Sequence, residues 1–175
     1  MKVRLIPVLD ISNEGKDIKA PQNSPAWEFQ NEWADYFKAA NRQAGFSDNL
    51  TPYLNWYTFY KLDSLSDRDL LTLVNRALDE SRDENGEIDM EALCSFEGGF
   101  ILNIDGRDLL FPQCCSRLAY IEEFQRVVAN DVEFFYHGHP APIVTIESGI
   151  VRFDTTKDSF APPTQGIIEL SIEAL

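Results

Sequence analysis

Within Leu93–Phe111, the dipeptide Asp105-Gly106 has an apolar run on each side. Two adjacent residues that tolerate positive φ, set between two strand-like runs, specify a two-residue hairpin turn. The strands it joins must be antiparallel, because so short a link cannot make a parallel crossover. Gly98-Gly99, just upstream, predicts a bulge or a close approach of two backbones. A second hairpin is expected where Ile143–Ile146 and Ile150–Phe153 flank Glu147-Ser148-Gly149. Lys2–Asp10 reads as a first strand, with Pro7 demanding an edge or a bulge. Val132–Tyr136 reads as a further strand. Gly166–Leu175 fits a strand or a short helix equally well.

Helical spacing occurs in three places. Ser24 is a suitable cap and Pro25 a suitable first helical residue for a stripe of Phe29, Trp33, Tyr36, Phe37, Ala40 and Ala44, stopped by Gly45. Ser66, followed by Asp67 and Asp69, predicts a second helix that buries Leu70, Leu71, Val74, Ala77 and Leu78. Ser116 is placed to cap a third, with Leu118, Ile121, Phe124, Val127 and Val128 facing inward. Between the first two lies Pro52–Lys61, an aromatic segment that reads as a short strand or an irregular packed stretch. Helices come mostly early and hairpins mostly late. That order predicts an α+β fold, a single domain over residues 1–175 with a largely antiparallel sheet and about three helices.

Composition narrows the function classes. The chain has 44% hydrophobic and 12% aromatic residues, enough for a packed core. No apolar run reaches the ~20 residues of a membrane span, and the N-terminal apolar stretch is too short for a signal peptide. Three cysteines are too few for a disulfide framework, so a cytoplasmic location is expected. The net charge is −14, and it is uneven: residues 61–91 carry four Lys/Arg against ten Asp/Glu. Such a surface repels phosphate backbones and anionic membranes, which argues against nucleic-acid or membrane binding. It attracts a basic protein instead. The charged turn Ser81–Glu91 concentrates this character in Asp83, Glu84, Glu87 and Asp89, the expected partner-binding residues.

All the thiols and imidazoles lie between residues 94 and 139: Cys94, Cys114, Cys115, His137 and His139. Cysteine and histidine are natural zinc ligands. The Cys-x-x-Cys spacing is missing, however, and adjacent cysteines usually point apart. The same group offers a cysteine nucleophile, Cys114 or Cys115, with His137 or His139 as base. A loop over residues 81–92 resembles the middle of a calcium-binding EF-hand loop, but it has Ser81 first and Ala92 last where that loop needs carboxylates. No phosphate loop, nucleophile elbow or zinc-protease helix is present. No cofactor is therefore expected.

The segment Phe96-Glu-Gly-Gly-Phe100, then Asp105-Gly106, Pro112-Gln-Cys-Cys115 and Gly138-His139-Pro140, resembles uncharacterised bacterial cytoplasmic proteins of the SUKH- and SuFu-like kind. That resemblance implies an immunity protein against a secreted toxin, and it carries over no functional residue. The expected function is thus a non-enzymatic binding protein that captures a basic partner through its acidic surface. The alternative is a metal- or cysteine-dependent hydrolase built on the cysteines and histidines.

Overall fold

A computed structural model of the chain describes residues 1–93, 95–163 and 166–175. In chain order the main elements are β1 (Val3–Asp10), α1 (Gln30–Gln43), β2 (Phe59–Lys61), α2 (Asp67–Glu80), β3 (Gly98–Ile104), β4 (Arg107–Leu110), α3 (Ile121–Val128), β5 (Ile143–Glu147), β6 (Ile150–Asp154) and β7 (Ile167–Ser171). The fold is α+β, as the order of sequence signals predicts. One sheet has the order β2-β1-β3-β4 and the other β5-β6-β7. The β3–β4, β5–β6 and β6–β7 pairings are antiparallel. Among the described residues no helix is long and apolar enough to cross a membrane.

The chain divides into two compact units, Met1–Val8 with Phe96–Leu175, and Leu9–Ser95. The first unit contains both expected hairpins. Asp105 and Gly106 have φ of 50° and 84°, and Ser148 and Gly149 have 51° and 76°. Positive φ at both central residues is the turn geometry whose twist matches that of the flanking strands. The strands bury alternate residues: Val151 and Phe153 of β6 face inward, as do Ile168 and Leu170 of β7. They pack with Leu102, Leu110, Phe124, Val127 and Phe135 into one apolar core. Gly99 makes the close approach expected of it, since a Cβ there would stand 2.8 Å from Ser116 Oγ.

The third helix starts later than expected. Its N-cap is Tyr120, and Ser116 Oγ has no hydrogen-bond partner among the described residues. Between them runs a single 3-10 turn, Leu118–Tyr120. Phe124 and Val127 are buried, but Val128 is exposed. The strand expected over Val132–Tyr136 does not form. Phe135 and His137 still point inward and Phe134 outward, so the alternation is present without a neighbouring strand to complete a ladder. Gly166–Leu175 resolves into β7 followed by a 3-10 turn, Ile172–Ala174.

In the second unit, Ser66 caps α2 as expected, accepting from the Asp69 amide at 3.2 Å. The buried face of that helix is nevertheless turned from the expected stripe. Asp69 and Leu73 are buried, whereas Leu71 is 59% exposed and Val74 is also exposed. The cause is Asp69, whose carboxylate accepts from Ser47 N and Ser47 Oγ, both at 2.8 Å, and from Ser66 Oγ at 2.5 Å. Helix α1 also starts late, at Gln30, behind a turn in which Glu28 N donates to Pro25 O. Ala40 is buried on its inner face, while Ala44 is exposed. Leu9, Ile11, Phe46, Trp56, Phe59 and Tyr60 are also buried in this unit.

Candidate functional site

The two cysteines of the first unit lie in a four-residue turn, Gln113-Cys114-Cys115-Ser116, closed by Ser116 N donating to Gln113 O at 3.0 Å. Cys115 holds the third position with φ of 67°. A turn that requires positive φ there normally takes glycine. Its surroundings hold the conformation in place. Buried Gln113 donates through Nε2 to the carbonyls of Phe111 and Ala161, and its Oε1 accepts from Ala161 N at 3.0 Å. Gln113 N donates to His137 O, and His139 N donates to Cys114 O, each at 2.9 Å. Gly138 lies between those two contacts with φ of 94°, and a Cβ there would collide with the Gln113 carbonyl.

This clamp separates the histidines that the sequence groups together. His137 is 1% exposed and packs edge-on against Phe124. Burial pushes its pKa down to about 3, against a smaller opposite effect from its hydrogen bond to the Phe100 backbone. Its Nε2 has no hydrogen-bond partner among the described residues. His139 is exposed and forms a β-bridge with Cys114, so the two residues lie directly opposite each other. Cys115 and Cys114 are also exposed, with sulfurs 3.4 Å apart. That is well beyond a bond of about 2.05 Å, so the pair is a dithiol. The positive φ of Cys115 removes the alternation that sends neighbouring side chains to opposite faces. Cys94 lies outside the described residues. Among the described residues, no three His, Cys, Asp or Glu side chains are gathered to hold a metal ion.

Two tyrosines that the sequence did not single out complete this surface. Tyr136 meets His139 edge-on at 5.0 Å and Tyr120 at 5.1 Å. Its phenol is pushed up by desolvation, then by Tyr120 and the two thiols, with Arg117 opposing. The available signal was the alternation Phe134, Phe135, Tyr136, His137, which places Tyr136 opposite the two buried rings.

In the second unit, the acidic residues form a closed turn. Asp83 N donates to Glu87 O at 2.8 Å, and Asp83 Oδ1 accepts from Asn85 N and Glu87 N. Those bonds hold the Asp83 carboxyl below its ordinary range. Asp89 N donates to Ser81 O, and Asp89 Oδ1 accepts from Glu91 N. Asp83 and Asp89 are therefore builders of the turn. Glu84 and Glu87 are displayed by it, beside Ile88 at 38% and Met90 at 75% exposure. The same Asp83 bonds occupy an oxygen that an EF-hand loop would turn toward calcium.

This unit also holds a cavity of about 300 Å³ lined by Asp35, Lys38, Asn41, Asp48 and Tyr60, among others. Asn41 Nδ2 donates to the Tyr60 hydroxyl at 2.7 Å, and Asn41 Oδ1 accepts from Asn13 at 2.7 Å. Burial pushes the Tyr60 phenol up to about 12, with the Asn41 hydrogen bond opposing and the Asp10 charge adding. The aromatic run Trp56, Tyr57, Phe59 and Tyr60 reads in the sequence as pocket lining or core packing, and Tyr60 lines this cavity, but nothing in the sequence gave a sign of buried Asn41. In comparisons with known proteins, no family model, no curated protein and no solved structure matches the chain.

Proposed function

We propose that the chain is a non-enzymatic binding protein that captures a basic protein partner through the turn of residues 81–91. The observation that carries this reading is the hydrogen-bonded turn that presents Ile88 and Met90 among Glu84, Glu87 and Glu91. A small apolar centre with a charged rim is the usual anatomy of a protein interface. A turn already fixed by its own backbone bonds loses little entropy on binding. The net charge of −14 steers a basic surface toward it.

A toxin nuclease fits this chemistry, because its phosphate-binding face is necessarily basic and carboxylates can occlude it. The resemblance of Phe96–Phe100 and the Pro112–Cys115 segment to SUKH- and SuFu-like proteins adds to that reading. Proteins retained from an extract of the source cells by the immobilised chain should be compared with those retained by a Glu84→Lys, Glu87→Lys double variant. Basic proteins enriched by the native chain and reduced about 10-fold by the variant are expected. Equal retention by both rejects the reading.

One observation favours a second reading, a hydrolase with Cys114 as nucleophile: the β-bridge that sets His139 opposite it. His137 is a poor base there, being buried and neutral. An activated thiol would alkylate with an apparent pKa well below the ordinary ~8.5, and an ordinary profile would dismiss this reading.

A further inference from the structure

The strained turn at Gln113–Ser116 does more than connect β4 to the segment before α3. Its two exposed sulfurs point the same way and stand 3.4 Å apart. Closing them into a disulfide would require a bond of about 2.05 Å between residues whose Cα atoms are about 3.8 Å apart, well inside the usual 4.4–6.8 Å for a disulfide. The clamp of Gln113, His137 and His139 backbone bonds resists the backbone shift that closure needs. A single atom bridging the sulfurs asks for no such shift. With bonds of about 2.3 Å, as in metal thiolates, and an angle a little over 90°, bridged sulfurs lie roughly 3.4 Å apart. Near-right angles belong to trigonal-pyramidal centres with a lone pair. Such a centre needs two thiolates from the protein and carries its third group itself.

We propose that Cys114 and Cys115 form a dithiol site for a trivalent, thiophilic arsenical. With an arsenic(III) oxide the reaction is a condensation. Each thiol gives up its proton, two S–As bonds form, the As–O bonds break, and the oxygen leaves as water. Arsenic stays trivalent, and no oxidant or reductant takes part. The exposed ring of His139 and the Tyr136 and Tyr120 rings border the site and offer an apolar wall to the organic group of a monosubstituted arsenical.

The test uses the full chain, reduced and desalted, with one equivalent of phenylarsine oxide in the presence of excess glutathione, read by intact-mass spectrometry. A single phenylarsenic adduct is expected on the native chain and on Cys94→Ser. A small dithiol should remove it, and glutathione should not. Loss of either sulfur turns a two-point attachment into one, so Cys114→Ser and Cys115→Ser should bind about 100-fold more weakly. Cys115→Gly gives a second, conformationally favoured variant that removes the thiol, and it should lose the adduct equally. An adduct that survives in any of these three variants, that disappears in Cys94→Ser, or that never forms on the native chain overturns the proposal. So does rapid closure of a Cys114–Cys115 disulfide by oxidised glutathione, because the turn would then not resist closure.

Discussion

His137 carries two kinds of constraint at once. Its ring fills core space against Phe124 and Phe135, and its backbone carbonyl anchors the cysteine turn through Gln113 N. Because burial holds it neutral with a pKa of about 3, the unfolded chain binds a proton there that the folded chain refuses. Its contribution to stability is therefore complete above the ordinary value of 6.5 and is lost as pH falls from there toward 3. The full loss is on the order of 5 kcal/mol. Across this range the urea midpoint of the native chain should fall relative to that of His137→Phe as pH falls. Parallel curves would show that the imidazole does not titrate with unfolding. Gly138→Ala tests the neighbouring constraint. Its Cβ has no space beside the Gln113 carbonyl, so a loss of about 2 kcal/mol or more is expected in the same measurement.

At the scale of elements, caps and faces were legible to different degrees. Ser66 was readable because its cap is local: serine, then an acidic residue three positions on. Ser66→Ala should cost about 1 kcal/mol. The buried face of α2 was not readable, because Ser47 pulls Asp69 inward from a distant part of the chain. Leu71, which hydrophobicity alone places in the core, should accept Leu71→Ser within about 0.5 kcal/mol. Phe124→Ala in α3 should cost about 3–5 kcal/mol, since it opens a cavity among Phe135, Phe153 and His137. Chemical denaturation of the three variants side by side distinguishes these cases. The missed strand at Val132–Tyr136 has a similar cause. Alternation sets which side chains point inward, but a ladder needs a second strand in reach.

For the whole molecule, 15 Lys and Arg against 29 Asp and Glu leave a net charge of −14, concentrated after residue 60. The acidic turn contributes little cohesion to the rest of the fold, because its bonds are within itself. Glu84→Lys with Glu87→Lys should therefore leave thermal stability nearly unchanged while flattening the salt dependence of partner association. A large fall in the melting midpoint would mean these side chains hold the fold. The amino-acid order by itself determined the α+β class, the two hairpins at Asp105-Gly106 and Ser148-Gly149, and the net acidic charge. Each depends on neighbours in sequence or on simple sums. Only the tertiary structure decided that His137 is buried while His139 is exposed, and that two adjacent thiols share one face. Two residues apart in the chain, those histidines are separated by a glycine whose backbone fits only one way against Gln113. The contacts that impose that fit come from residues more than twenty positions away, beyond the reach of any local pattern.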